Sequence, residues 1–168
     1  MKLGIELGFK VFGVDLSHNA VESTKAWLAQ EFATDKFDPK RIIAGPSAMD
    51  AFKDFKFNVI LAASCLDSMY FSVAMEFVAK FRKLMAPEGI FIFDVISGDE
   101  TGRSRDFVGD LVVDSEIEKG TIQSYYNQKK IEDLLQSQFK IVESVLLRVE
   151  DNMMDSYSGR HFIACVPV

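Results

Sequence analysis

Basic charge is in short supply in this sequence. Lys and Arg together number 19 against 25 Asp and Glu, which gives a net charge of −6 at pH 7. A protein that binds nucleic acid needs a basic face to displace counterions from the phosphates, and an anionic membrane surface makes the same demand. We therefore expect no nucleic acid and no membrane among the partners of this chain.

Cysteine and histidine are also scarce, with two of each in the chain. Cys65 and Cys165 lie far apart, each inside an apolar strand-like run, which is typical of buried free thiols and not of a disulfide framework. His161 has no acid or cysteine at metal-ligand spacing, so we predict no metal site. Together these features favour a cytoplasmic protein.

Long apolar runs are missing too. None approaches the about 20 residues that span a bilayer, and no basic segment leads into an apolar stretch at the N-terminus. The apolar content is nevertheless sufficient for one core, since 48% of the 168 residues are hydrophobic. No repeat, low-complexity tract or linker divides the chain, so we predict a single domain over residues 1–168.

The chain is organised around residues 10–27, where an apolar run ends in an acid and a helix follows. Residues 11–14 suit a buried strand, and Ser17 is a candidate N-cap for the helix. Asp15 then lies at the carboxyl end of a parallel strand, where open α/β sheets have their ligand crevice. An acid there can accept hydrogen bonds from both hydroxyls of a ribose. The alternative is that Asp15 only supports the turn.

The segment Phe-Gly-Val-Asp-Leu-Ser, residues 12–17, resembles the second strand of the class I S-adenosylmethionine (SAM)-dependent methyltransferases. Farther along, Leu-Met-Ala-Pro-Glu-Gly-Ile-Phe-Ile-Phe, residues 84–93, resembles the passage into the fifth strand of that family, in the correct order. Phe-Asn-Val-Ile, residues 57–60, is similar to its fourth strand. The resemblance implies an α/β fold with a Rossmann-like, mostly parallel sheet and a C-terminal antiparallel strand pair, expected here at residues 139–149 and 160–166.

The resemblance also exposes an absence. The family begins its core with a strand and a Gly-x-Gly-x-Gly loop, whose bare backbone lets the cofactor approach the following helix. No such loop occurs here, so we predict a sheet that lacks its first strand. Residues 2–7 are interpreted as the last turn of the helix before the second strand. A strand that turns back at Gly8 is the alternative.

The cofactor implied by the resemblance is SAM, with its ribose held by Asp15 and with Leu16 as a neighbouring cofactor contact. The segment Gly-Pro-Ser-Ala-Met-Asp follows a predicted third strand and places Ser47 and Ala48 beside the adenine. Asp50 is a rival for that contact in a shifted register, and an ordinary turn is the other alternative.

The predicted fourth strand is apolar on both faces, which is typical of a central parallel strand. Ser64, Cys65 and Leu66 follow it and, by the resemblance, line the cofactor crevice. Neither histidine is placed near Cys65 by the sequence, so we predict an inert wall and not a nucleophile there.

Asp67 or Ser68 is predicted to cap a long helix that runs to Met85 with an apolar stripe. Residues 98–126 break the pattern and correspond to the region that recognises the methyl acceptor in the family. Arg103 and Arg105 in this segment could bind a carboxylate or phosphate, although a solvated loop is our preferred interpretation.

The implied reaction is in-line transfer of a methyl group from SAM to oxygen, nitrogen or sulfur of a small-molecule acceptor. No catalytic base can be named, because Asp67, Asp94 and Tyr70 all have structural roles available. One alternative is a non-catalytic or truncated domain that binds SAM weakly or forms a homodimer through exposed sheet edges. A nicotinamide-dependent reductase is the other, but it also needs a glycine fingerprint.

Overall fold

The computed structural model describes residues 1–33, 35–104 and 106–168. They form two compact units, Met1–Phe55 and Lys56–Val168. The single domain predicted over residues 1–168 stays a prediction.

The first unit combines helices with a two-stranded parallel sheet. Its elements are α1 (Lys2–Glu6), β1 (Gly13–Asp15), α2 (His18–Glu31) and β2 (Ile42–Ala44), with 3-10 turns at Pro39–Arg41 and Ala48–Phe52. In the sheet, Asp15 lies opposite Ala44. The core of the unit is a cluster of buried apolar side chains: Ile5, Val21, Leu28, Phe37 and Ile42.

Helix α1 confirms the helical interpretation of residues 2–7. Gly8 follows the helix at φ +84°, where glycine has no steric penalty. Its N–H donates to the Ile5 carbonyl at 3.0 Å, and the Phe9 N–H donates to the Gly4 carbonyl at 2.9 Å. This pair of bonds is a Schellman motif, so Gly8 ends a helix instead of turning a hairpin.

Helix α2 begins where the sequence predicts. The Ser17 hydroxyl oxygen accepts a hydrogen bond from the Ala20 N–H at 3.2 Å. That N–H has no acceptor within the helix, so the cap satisfies it. The order of strand, acid and helix in residues 10–27 is therefore confirmed.

The second unit is built on a four-stranded sheet of order β3-β4-β8-β7. Strand β3 runs parallel to β4, whereas β8 runs antiparallel to both β4 and β7. The antiparallel pair that closes the sheet is therefore confirmed, but this sheet is mixed, with one parallel and two antiparallel pairings, and not mostly parallel. The elements of this unit are β3 (Phe57–Ala62), α3 (Phe71–Leu84), β4 (Met85–Ile96), β5 (Gly109–Val112), β6 (Ile122–Tyr125), α4 (Gln128–Leu135), β7 (Phe139–Asp151) and β8 (Ser156–Pro167).

Strand β3 is parallel, as predicted, but the prediction that it is central is wrong. Among the described strands it pairs with β4 alone. Val59 and Leu61 are 46% and 67% exposed, which a central strand covered on both faces would not show. The sequence pattern shows how apolar a strand is, but it does not show which strands will pair with it.

The hairpin of β7 and β8 is longer than the predicted strands at residues 139–149 and 160–166. Pairing continues outward to Asp151 opposite Ser156, which leaves only residues 152–155 at the tip. Residues 150–159, which separate the two predicted strands, are therefore mostly strand.

A cation–π contact supports the outer arms of this hairpin. The Arg148 guanidinium lies 3.7 Å from the ring centre of Tyr157 on the facing strand. Beyond it, Met153 and Met154 at the tip are 93% and 74% exposed. The polar outer arms are thus held by cross-strand contacts and not by a core.

The N-terminus of α3 also differs from the prediction that Asp67 or Ser68 caps it. The helix begins at Phe71, whose N–H donates to Asp110 Oδ2 at 2.9 Å. Asp67 is buried and accepts a hydrogen bond from the Ile96 N–H at 2.9 Å instead. An acceptor 39 residues away in sequence replaces the local cap, and a pattern of adjacent residues cannot reveal such a partner.

The helical periodicities in this unit are confirmed. The apolar stripe of α3 is buried at Ala74, Val78, Phe81 and Leu84. Helix α4 is capped by Asn127, whose side-chain oxygen accepts a hydrogen bond from the Lys130 N–H at 2.9 Å. No helix within the described parts of the chain is long and apolar enough to cross a membrane.

Candidate functional site

In the first unit the carboxyl ends of the two parallel strands are joined directly. The Gly45 N–H donates to the Asp15 carbonyl at 2.9 Å, and the Ala48 N–H donates back to the Gly45 carbonyl at 3.1 Å. Gly45 lies at φ +107°, a conformation that a side chain would strain. The turn that carries Ser47 and Ala48 therefore starts beside Asp15.

The Asp15 carboxylate is exposed and only partly engaged. Its Oδ1 accepts a hydrogen bond from the Ser17 N–H at 2.8 Å. For Oδ2 no hydrogen bond is found with any residue that the structure describes. One oxygen thus supports the turn, as the alternative interpretation expected, while the ribose contact of Asp15 stays a prediction.

A small cavity of about 90 Å³ adjoins this carboxylate. Ligand pockets for drug-sized molecules are typically about 300–1,000 Å³, so this cavity can hold only part of such a ligand. Its walls come from β1, β2, the first turns of α2 and the N-terminal residue: Met1, Gly13, Val14, Asp15, Ala20, Val21, Thr24 and Ile42.

The remaining predicted contacts of this unit differ in accessibility. Leu16 is 65% exposed beside Asp15. Ser47 is exposed and makes no side-chain cap bond to the following 3-10 turn, whereas Ala48 is buried. Asp50 is exposed as well, so exposure does not separate it from Ser47 as the adenine contact.

In the second unit, the end of β3 leads into an unusual backbone conformation. Ser64 lies at φ +47°, in the left-handed region that L-residues rarely occupy. Its N–H donates to Asp94 Oδ1 at 2.6 Å, and its hydroxyl oxygen accepts a hydrogen bond from Arg160 Nη2 at 3.0 Å. Ser64 is exposed and Cys65 is half-buried, so both can line a surface.

Leu66 has a different environment from its two neighbours. Its side chain is fully buried, and its carbonyl accepts a hydrogen bond from the Tyr126 hydroxyl at 3.2 Å. It therefore packs into the core and offers no exposed side-chain surface. The other thiol, Cys165, is buried too, and this burial raises its pKa to about 12, so it stays protonated.

Arg160 is a residue that sequence reasoning missed. On β8, it donates from Nε to Asp94 Oδ2 and from Nη2 to Asp67 Oδ2, the latter at 2.7 Å. These partners lie 66 and 93 residues away in sequence, so no local motif could join them. Burial raises the pKa of Asp67, although the nearby Arg160 cation opposes that shift.

A second network surrounds Asp110 on β5. It accepts hydrogen bonds from the Phe71 N–H at 2.9 Å, the Ser124 hydroxyl at 2.6 Å and the Lys130 ammonium at 3.1 Å. Burial alone would raise the pKa of Asp110, but these hydrogen bonds outweigh it and hold the pKa below its ordinary value. The Lys130 ammonium also lies 4.6 Å from the ring centre of Tyr126.

A wider cavity of about 390 Å³ lies beside this network. Its volume falls within the usual range for small-molecule sites. Lys130 cannot serve there as a free cation, because its ammonium already donates to Asp110, Ser124 and the Tyr125 carbonyl. The cavity is lined by Phe71, Val108, Gly109, Asp110, Asn127, Lys129, Lys130 and Asp133.

Of the two arginines considered as an anion site, the structure describes Arg103. Arg103 forms an ion pair with Glu100 at 3.6 Å and lies over the Tyr125 ring, 5.1 Å from its centre. Arg105 lies outside the described residues. The carboxylate of Glu100 thus already occupies Arg103.

No protein-family model and no curated protein matches the sequence. Solved structures do match. A SAM-dependent methyltransferase from Methanosarcina mazei is similar at a TM-score of 0.72 and 15% identity, over 99% of this chain and 86% of that one. The glycopeptide N-methyltransferase MtfA, solved in complex with SAM, is similar at 0.62 and 15% identity, over 98% of this chain and 75% of that one.

A third match is the 1,6-didemethyltoxoflavin-N1-methyltransferase of Burkholderia thailandensis, solved with 1,6-didemethyltoxoflavin and S-adenosylhomocysteine bound. Its TM-score is 0.69 at 18% identity, and the match covers 99% of this chain. The chain has the class I SAM-dependent methyltransferase fold. It spans 65% of the length of the Burkholderia methyltransferase, and identities this low establish the methyltransferase fold without establishing activity.

Proposed function

We propose that this chain acts in SAM-dependent methyl transfer to a small-molecule acceptor, with Asp15 as its principal contact to the cofactor. The carrying observation is the exposed Asp15 carboxylate at the carboxyl end of β1, with Oδ2 unbonded among the described residues. Ribose hydroxyls donate hydrogen bonds, and a carboxylate with an accessible oxygen accepts them. Methyltransferases of the same fold have been solved with SAM or S-adenosylhomocysteine bound, which supports the same cofactor here.

The neighbouring residues suit the adenosine end of SAM. Leu16 offers an exposed apolar side chain next to the ribose position, and Ser47 offers a hydroxyl that can donate to or accept from an adenine edge. Ala48 is a buried wall. The resemblance assigns Ser64 and Cys65 to the cofactor as well, and both retain accessible surface for that role.

The larger cavity supports a small acceptor. It contains Val108 and Gly109 from the segment at 98–126, which we assigned to acceptor recognition. The charged groups on its wall are already paired, Asp110 with Lys130 and Lys129 with Asp133. A neutral acceptor of moderate size fits such a lining better than a strongly charged one.

When bound, SAM supplies an electrophilic methyl group. The bond between the methyl carbon and the sulfur of SAM breaks as the acceptor takes the methyl group, and S-adenosylhomocysteine leaves. The residues of the chain orient the cofactor and exclude water. Asp67 and Asp94 do not qualify as bases here, because both are buried and paired with Arg160. The catalytic base is left unassigned.

A homodimer through exposed sheet edges is a second proposal. Among the described strands, β1 pairs with β2 alone and β3 with β4 alone, so each has an edge without a described partner strand. An unpaired edge invites pairing with another chain. The cytoplasm is the proposed location, supported by two free cysteines.

Titration calorimetry with SAM tests the function. Asp15→Ala should lower the affinity roughly ten- to a hundredfold, since losing a charge-assisted contact costs about 1.5–3 kcal/mol. Glu22→Gln is the matched control, because Glu22 is an exposed acid on the adjoining helix that pairs with Lys25. Equal affinity of Asp15→Ala and the native chain would remove Asp15 from the site. Binding of a nicotinamide cofactor but not SAM would favour a reductase.

A further inference from the structure

The Ser64 turn, defined as residues 63–65, ends β3 in a conformation that needs external support. Ser64 lies at φ +47° and carries a side chain, so the surrounding contacts must offset the steric cost. All three of its polar groups are engaged. Its N–H donates to Asp94, its hydroxyl oxygen accepts from Arg160, and its carbonyl accepts from the Ser68 hydroxyl at 3.4 Å.

Arg160 lies behind two of these three contacts. Its Nη2 donates directly to the Ser64 hydroxyl oxygen, at 3.0 Å. Its Nε donates to Asp94 Oδ2, which orients that carboxylate so that Oδ1 accepts the Ser64 N–H at 2.6 Å. The guanidinium thus holds the turn both directly and through Asp94.

The same guanidinium is itself fixed in place. Nη2 also donates to Asp67 Oδ2 at 2.7 Å, and that oxygen accepts the Ile96 N–H as well. Asp67 and Asp94 are 6% and 7% exposed, so water competes little for these bonds. Arg160 lies opposite Ile96 in the pairing of β8 with β4, which anchors its backbone in the sheet.

We propose that Arg160 is a positioning residue that holds the Ser64 turn in its left-handed conformation for cofactor binding. The proposal rests on the proposed function, in which the turn that carries Ser64 and Cys65 contacts SAM, and it assigns the contribution of Ser64 to its backbone, since Arg160 bonds its hydroxyl. A guanidinium is required because its Nε and Nη2 point in fixed, different directions and reach both carboxylates and the hydroxyl at once. A lysine ammonium keeps the charge but cannot reproduce that fork.

The test combines charge conservation with a backbone rescue. Arg160→Lys should lower the affinity for SAM at least tenfold in calorimetry. Adding Ser64→Gly in that background should restore most of the affinity, because glycine adopts positive φ without support. A residue that only stabilises the fold would not be rescued by a glycine at position 64. Arg148→Lys is the matched control, since Arg148 is another paired arginine of the same hairpin.

A measurement without ligand separates this proposal from the proposed function. Hydrogen exchange of the Ser64 amide, followed by NMR, should be slow in the native chain and at least tenfold faster in Arg160→Lys. Retained protection, or lost SAM affinity that Ser64→Gly does not restore, overturns the positioning role. If the native chain does not bind SAM, the proposed function fails and the exchange result alone decides the role of Arg160.

A variant pair that leaves Arg160 intact covers the case in which Arg160→Lys does not fold. Ser64→Ala keeps the steric cost of a side chain and loses the hydroxyl contact, whereas Ser64→Gly loses the hydroxyl and the cost together. Ser64→Gly should therefore bind SAM more tightly than Ser64→Ala. Equal affinities of the two variants would contradict the proposal.

Discussion

Each of the two parallel strand pairs has an acid at or near a strand end, and one of these acids is exposed whereas the other is buried. In the first unit, Asp15 ends β1 with an exposed carboxylate and one oxygen without a hydrogen bond to any described residue. In the second, Asp94 near the end of β4 is buried, and both of its oxygens accept hydrogen bonds, from Ser64 and Arg160. The position of an acid in the sheet is similar in the two cases, but its availability to a ligand is not.

The difference follows from the donors that each unit supplies. Burying a carboxylate is costly unless donors replace the lost water, and Arg160 together with the Ser64 N–H replaces it for Asp94. Near Asp15 the Ser17 N–H is the donor provided, so the carboxylate remains in solvent. An acid at a strand end is therefore a candidate ligand contact when the protein leaves it short of donors.

Removing each acid in turn is the strongest way to break this comparison. Asp94→Ala should lower the free energy of unfolding by about 3 kcal/mol, near the low end for breaking a buried ion pair, because Asp67 still holds Arg160. Asp15→Ala should cost less than about 1 kcal/mol, since the carboxylate is exposed and makes one local bond. Urea denaturation followed by circular dichroism measures both. Similar losses in the two variants would mean that the donor argument is wrong.

Asp110 extends the comparison to an acid of intermediate exposure. Asp110→Asn should cost about 1–2 kcal/mol at pH 7, because it weakens the bonds from Phe71, Ser124 and Lys130. The pKa of Asp110 is held below its ordinary value of 3.8. Its stabilising contribution is therefore present above about pH 4 and is lost as the pH falls through the folded-state pKa.

Urea denaturation repeated from pH 7 down to pH 2 shows that loss. The native chain should lose stability more steeply below pH 4 than Asp110→Asn does. Parallel curves would show that Asp110 titrates alike in the folded and unfolded states. Asp133→Asn is the matched control, because Asp133 is a paired acid lining the same cavity and has its partner Lys129 in solvent.

The smallest expected effect concerns Ser17, which follows Asp15 closely and caps helix α2. Ser17→Ala removes the cap of α2 and should destabilise the chain by about 1 kcal/mol, whereas Ser17→Gly should cost only a few tenths. Exchange of the Ala20 amide measures the local effect. If both variants exchange like the native chain, the Ser17 hydroxyl does not cap the helix in solution.

The sequence predicted well those features whose causes are local. Asp15 and Ser17 each act on a backbone group two or three residues away. The helix and strand periodicities also repeat within one element, so the order of helices and strands along the chain was predictable. The resemblance to methyltransferases added the antiparallel closing pair, which local patterns do not contain.

What the sequence could not predict depends on distant partners. The cap of α3 comes from Asp110, and the Ser64 turn depends on Arg160, which is 96 residues away. The edge position of β3 likewise depends on which strands pair with it and not on the composition of β3 itself. Such features require separate elements to meet, and no spacing rule along one element encodes that meeting.

The methionines of this chain should differ in how fast peroxide oxidises them, and those at the tip of the β7–β8 hairpin should react first. Met153 and Met154 are 93% and 74% exposed, whereas Met49 and Met85 are 6% and 2% exposed. Thioethers in contact with water are oxidised to sulfoxides first, and sulfoxide is polar enough to disrupt a core only when it forms inside one. Mild oxidation should thus modify Met153 and Met154 and leave Met49 and Met85 unmodified. Mass spectrometry can locate the sulfoxides, and their pattern then shows whether a preparation was folded when it was oxidised.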